Sequence, residues 1–234
     1  MIRNLSRGVA SSRLLSFLKI FSAIQSPKQL YKNVLLQKVF RVFLANPEAS
    51  IAQSAFSCLC NFKFPYIVPY NDQIKRLLTK GELRQTLAKF NISTKGNIDI
   101  QHRPQLVPII TRILFGRLIA RSIKGSKDSP QARRGAIVSF LSGLDYTKGE
   151  LDTLIFMMCR SFVPSKINFI TEERDYVHLC FNTFRKNLDF SYMITIHPQR
   201  RLGFLNLLAS CVSHLGHNLH QYLLILIEIT LTML

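Results

Sequence analysis

Ser26-Pro27, Asn46-Pro47, Arg103-Pro104, Ser129-Pro130 and His197-Pro198 each place a proline at the mouth of a run whose apolar residues recur every three or four positions. Proline has no N–H to lose in the first turn of a helix, and its fixed φ already suits that turn. A chain punctuated in this way is committed to consecutive helices. After Ser26-Pro27 the apolar positions are Leu35, Val39, Val42 and Phe43; after Asn46-Pro47 they are Ile51, Ala55, Phe56 and Leu59. Arg103-Pro104 opens a long helix to about Ile123 through Leu106, Ile110, Ile113, Leu114 and Leu118. Ser129-Pro130 leads to Ile137, Phe140, Leu141 and Leu144, and His197-Pro198 starts a helix that Gly216 closes. Shorter helices are expected over Asn71–Leu78 and Glu82–Phe90, with a loop from Asn91 to Gln101. Thr147 and Glu150 have capping-box spacing before Leu151, Leu154, Ile155 and Met158. Between Pro164 and Ile196 the pattern tolerates either a helix or a strand.

No alternating stretch is long enough to make a sheet, so the fold class is all-α. Helix pairs of roughly 35–45 residues suggest a HEAT- or armadillo-like α-solenoid of antiparallel pairs. A compact helical bundle is the competing arrangement. Residues 1–234 are expected to form a single solenoid segment. Residues 1–13 form a basic arm that can remain disordered. Residues 217–234 form an apolar helix, expected to be truncated, whose covering partner lies elsewhere. From Tyr222 to Leu234 the run is too short for a bilayer, which needs roughly 20 residues.

The charge is lopsided: 31 Lys and Arg face 13 Asp and Glu, a net +18. With 47% hydrophobic residues this is no disordered basic tail. Such a surface repels itself unless a polyanion neutralises it. The first excess lies in the leading 41 residues. They read as the first basic helix of the domain, or alternatively as an Arg- and Ser-rich mitochondrial presequence. The second excess spans Arg103 to Arg134. There Arg117, Arg121 and Lys124 share a helix face and, with Lys127 and Arg134, are candidate contacts for an RNA phosphate backbone. The competing explanation is structural. Cations in a last turn suit the helix dipole, and their positions in line with Ile110, Leu114 and Leu118 let some of them snorkel over the core. Arg133 lines up with Ile137 and Phe140 and reads as structural, whereas Arg134 points more outward.

Other chemistry has little support. Cys58, Cys60, Cys159, Cys180 and Cys211 are odd in number and sit among apolar residues, which suits reduced core thiols. Cys211, His214, His217 and His220 include zinc-ligand types, but steps of three drift around a helix and Gly216 interrupts it. No nucleotide fingerprint, phosphate-binding loop or nucleophile elbow is present, so no cofactor and no enzyme activity are expected. The acidic clusters Asp145, Glu150, Asp152 and Glu172, Glu173, Asp175 fit helix starts. The 17 Phe are expected in the core rather than as a base-stacking platform.

One resemblance is specific. The run Arg103-Pro-Gln-Leu-Val-Pro-Ile-Ile-Thr-Arg-Ile-Leu-Phe-Gly-Arg117, followed by Ala132-Arg-Arg-Gly-Ala-Ile-Val-Ser-Phe-Leu141, resembles the DRIM ("down-regulated in metastasis") family. That is the very long HEAT-repeat component numbered twenty among the small-nucleolar-RNA-associated proteins. Gln53 to Leu59 with Val68-Pro-Tyr70, and Arg201 to Asn206 with Leu215-Gly216, resemble the flanking repeats. The resemblance implies a fragment of a non-enzymatic scaffold in the nucleolar small-subunit processome, supporting processing of precursor ribosomal RNA. It implies a nuclear, nucleolar location. The implied partners are pre-ribosomal RNA, the small nucleolar ribonucleoprotein and other processome proteins, with no membrane and no small-molecule substrate. Arg103, Arg112, Gly116 and Arg133 carry over as motif positions only. Two rival functions stay open on the residues alone: a protein-only helical interaction module, and a mitochondrial matrix protein with a cleaved leader.

Overall fold

The computed structural model describes residues 6–79, 81–120, 129–162 and 195–233, and among these every regular element is helical. The chain divides into two compact units, one of Met1–Phe90 with Asp99–Ile123, the other of Asn91–Ile98 with Lys124–Leu234.

The first unit holds α1 (Arg7–Ala23), α2 (Asn33–Phe43), α3 (Ala49–Cys60), α4 (Asn71–Leu78), α5 (Leu83–Lys89) and α6 (Arg103–Ile119). The expected disordered arm, residues 1–13, overlaps α1 from Arg7 onward. α3 is the hub, packing against α1, α2, α4 and α6. It buries Ile51, Ala52, Ala55, Phe56, Cys58 and Leu59. The small Ala52 and Ala55 let neighbouring backbones approach while Phe56 and Leu59 fill the space between them. Polar groups near the ends of α3 also close its neighbours. Asn61 Nδ2 donates to the carbonyls of Ser22 (2.7 Å) and Ile24 (3.0 Å) at the end of α1. Gln53 Nε2 donates to Leu78 O at the end of α4 (3.2 Å). Carbonyls that a helix end leaves unpaired are thereby satisfied from the hub.

Ser26-Pro27 does not open α2. Pro27–Gln29 forms a single 3-10 turn, Ser26 makes no side-chain cap, and α2 starts only after Lys32 adopts a left-handed φ of 55°. Asn46-Pro47 does lead into a helix, through an Asx turn in which Asn46 Oδ1 accepts from Glu48 N (2.9 Å).

In the second unit, α7 (Pro130–Leu141) packs on α9 (Pro198–Leu215). Between them in sequence lie α8 (Asp152–Cys159) and a 3-10 turn at Arg160–Phe162; after α9, a further 3-10 turn at Gly216–Tyr222 leads into α10 (Leu223–Leu231). Ser129 caps α7 by accepting from Ala132 N (3.0 Å). His197 caps α9 by accepting from Gln199 N at Nδ1 (3.2 Å), and Gly216, at φ 48°, ends it. α8 is buried from Thr153 to Cys159. Cys211 Sγ lies 3.8 Å from Met158 Sδ, and the rings of Phe162 and Phe204 meet edge to face at 4.8 Å. Tyr222 OH donates to Asp152 Oδ1 (2.5 Å), tying the last turn to the start of α8. The ambiguous stretch 164–196 lies mostly outside the described residues.

The Thr147 to Glu150 capping box is absent. Gly149, at φ 69°, breaks the chain between those two residues, so α8 cannot begin at Thr147. The reciprocal cap forms two residues earlier, at Asp145. Asp145 Oδ1 accepts from Thr147 N (3.1 Å) and Oγ1 (2.6 Å), while Glu150 Oε2 reaches back to Asp145 N (2.8 Å). The Thr147 hydroxyl, its N–H and Lys148 hold the Asp145 carboxyl below the ordinary carboxylate range. A depressed acid stabilises the fold above its ordinary pKa and loses that contribution as pH falls through the depressed value. Asp145 should therefore titrate below the ordinary Asp range in an NMR pH series, and Thr147→Val should move its midpoint upward. An unmoved midpoint would show that the cap does not hold the charge.

Candidate nucleic-acid interface

The motif residues are organised by α6. This helix packs on α2, α3 and α4, and its buried positions occupy every side of it from Leu106 to Leu118. A helix apolar on all sides has to be enclosed. Its entry is pinned to the residue preceding α4: Tyr70 OH accepts from Asp99 N (2.9 Å) and lies 3.3 Å from His102 Nδ1, with the two rings edge to face. Arg103 follows and is only 3% exposed. A cation in a first turn gains nothing from the helix dipole, so the dipole is not what holds it there.

Near the other end, a Cβ added at Gly116 would sit 2.8 Å from Asn46 O and 3.0 Å from Ala45 C. Those atoms are backbone in the turn between α2 and α3 and cannot swing aside. Gly116 is therefore a contact point between backbones, which explains why the motif carries glycine there. Arg112 and Arg117 are half-buried, and Arg117 Nε is shielded from solvent. Arg117 thus snorkels over the core rather than standing clear of it. In α7, Arg133 and Arg134 are both half-buried, with Arg133 Nε shielded in the same way. Arg121, Lys124 and Lys127 lie outside the described residues. Among the described positions Arg103 and Gly116 are buried, and Arg112, Arg117, Arg133 and Arg134 half-buried; of the five RNA candidates the described ones are Arg117, in α6, and Arg134, in α7.

Exposed cations include Arg13 and Lys19 on α1, within the basic excess of the leading 41 residues, and Lys75 and Arg76 on α4 and Lys89 on α5, which were not among the candidates. For Lys75 and Arg76 the signal was available: Ile74, Leu77 and Leu78 take the inner face of α4, which leaves the two cations outside. Charge is concentrated in the first unit, which holds 18 Lys and Arg against 4 Asp and Glu, a net +14 of the chain's +18.

Thiol and metal chemistry find no footing among the described residues. Burial pushes the thiols of Cys58, Cys60, Cys159 and Cys211 up, so they stay protonated at neutral pH and are poor nucleophiles. Cys58 and Cys60 hydrogen-bond Leu18 O and Asn71 Oδ1, each at 3.2 Å. His214 Nδ1 lies 2.8 Å from Ser210 O, and His217 meets the edge of Tyr146. No three His, Cys, Asp or Glu side chains among the described residues could hold a metal ion. No described helix is long and apolar enough to cross a membrane.

Thr111 is fully buried, and its hydroxyl has no hydrogen-bond partner among the described residues. A buried unpaired hydroxyl costs about 1–3 kcal/mol, whereas an added methyl in a tight backbone contact costs about 1–3 kcal/mol. In urea unfolding, Thr111→Val should therefore raise stability and Gly116→Ala lower it. Opposite signs would contradict the packing of α6.

Two curated relatives share this sequence. U3 small nucleolar RNA-associated protein 20 of Saccharomyces cerevisiae is 24% identical over 204 residues, 86% of this chain and 7% of its own length. The Schizosaccharomyces pombe protein of the same name is 30% identical over 98 residues, 41% of this chain and 4% of its own length. The chain thus spans less than a tenth of either relative. A family description, "U3 small nucleolar RNA-associated protein 20, N-terminal", matches residues 9–234, a range that takes in α6, α7 and the motif positions they carry. With its all-helical described structure and nearly its whole length matched, the chain belongs to that U3 small nucleolar RNA-associated protein 20 N-terminal family.

Proposed function

We propose that this chain acts in ribosome biogenesis as a non-enzymatic, HEAT-type helical scaffold segment of the nucleolar small-subunit processome. The observation that carries this reading is the family match over residues 9–234. The relatives' name supports an association with U3 small nucleolar RNA and its particle, and hence with precursor ribosomal RNA. The +14 charge of the first unit supports a polyanionic partner.

RNA contact in this reading runs through phosphates, without base readout. Arg134, Arg121, Lys124 and Lys127 make those contacts together with the exposed Lys75, Arg76 and Lys89. Arg117 contributes less, because its guanidinium is partly enclosed by the fold. A salt series with the purified chain and a structured RNA tests this. Each phosphate contact adds roughly −0.7 to −0.9 to the slope of log K against log salt. Arg121→Gln with Lys124→Gln and Lys127→Gln should weaken binding about equally across RNA sequences and flatten that slope by about two to three units. Absence of RNA binding at low salt would remove the RNA reading. It would leave a protein-only scaffold, in which the cations meet acidic proteins.

A further inference from the structure

α1 carries two seams. One is used: Leu14, Leu15, Leu18 and Phe21 are covered positions, Cys58 Sγ of α3 donates to Leu18 O (3.2 Å), and the Phe21 ring meets Phe40 of α2 edge to face (5.7 Å). The other is open. Val9, Arg13, Ser16, Ile20 and Ala23 are all exposed and follow one another at intervals of four, three, four and three. Phe17 lies beside them. Exposure reaches 44% at Val9, 61% at Phe17 and 62% at Ile20. At 100° per residue these positions fall on one side of the helix, away from α3. A 4-3-4-3 row is the spacing by which one helix receives another.

The chemistry of the row narrows what could cover it. Ser16 is small and its hydroxyl is already bonded to Ser12 O (3.1 Å), so it can enter an apolar seam without a further partner. Ser16, between Val9 and Ile20, and Ala23, beyond Ile20, leave hollows into which the side chains of a second helix fit. A lipid surface gains nothing from hollows of that kind. Arg13 sits inside the row, not at its edge, so the covering helix has to bring a carboxylate to that point or bury an unpaired charge. Lys19 flanks the same face, and no acid precedes Glu48 in the sequence. A second copy of the chain would set Arg13 or Lys19 against like charge, within a unit already at +14. RNA phosphates would meet Phe17, Ile20 and Val9, which offer them nothing.

We infer that the outer face of α1 docks an acidic amphipathic helix of another protein, with Val9, Phe17 and Ile20 as apolar anchors and Arg13 as the charged register point. This goes beyond the RNA reading and does not depend on it. The test replaces Phe17 by the photo-crosslinking residue p-benzoylphenylalanine in the full chain, irradiates living cells and maps the adducts by mass spectrometry. The expected adduct is a protein segment with apolar residues at three- and four-residue spacing and an Asp or Glu in register with Arg13. Arg13→Glu should cut its yield at least about tenfold, since it sets like charges against each other in the interface. The melting temperature of the chain should stay unchanged, because Arg13 is exposed in the free fold. Adducts confined to RNA, to lipid or to a second copy, or no adduct at all, would overturn the inference, as would a yield indifferent to Arg13→Glu. RNA affinity measured on the same variant separates this outcome from a failure of the phosphate contacts.

Discussion

Everything else in the first unit depends on the enclosure of α6. A helix with apolar residues on every side needs partners on every side, and α2, α3 and α4 provide them. The enclosure forces backbone contact at Gly116, where the turn between α2 and α3 leaves no room for a side chain. It also decides what the motif arginines can be. Arg103 is buried in the first turn, and Arg117 lies half-covered in the last. Their charge is drawn into the fold, and what remains for a polyanion lies on outward faces.

This division links charge to function. The first unit concentrates most of the positive charge while spending its arginine-rich motif on packing. A self-repelling surface costs stability, and a partner that neutralises it restores that stability on binding. The chain belongs to a family named for a small nucleolar RNA association and spans less than a tenth of its curated relatives' length. In the proposed reading two surfaces serve two kinds of contact: scattered exposed cations for phosphates, and the row on α1 for a helix.

Much of the helical framework was legible because its signals are local. Arg103-Pro104, Ser129-Pro130 and His197-Pro198 each start a helix where proline chemistry places it, and Asn71–Leu78 matches α4. Ser26-Pro27 misleads because one 3-10 turn satisfies the same local preferences before Lys32 redirects the chain. The cap at Thr147 misleads because it depends on the φ of Gly149, which spacing does not report. The site was less legible. Helical periodicity placed Arg117 in line with the core, yet how far its guanidinium is covered depends on what surrounds α6. On α1, the pattern of the first 41 residues favours an ordinary basic helix over a leader but does not say which of its faces is covered. Only packing on α3 shows which of its two rows is used.

Native-state hydrogen exchange on the intact chain tests the central role of α6 most directly. Amides from Ile109 to Leu118 should be among the slowest to exchange in the first unit, together with those of α3, opening only when the whole unit unfolds. Those of α1, mostly exposed along its outer face, should exchange earlier. If the α6 amides exchange as fast as those of α1, α6 is not the enclosed helix on which the unit is built, and its arginines would have to be read as surface charge after all.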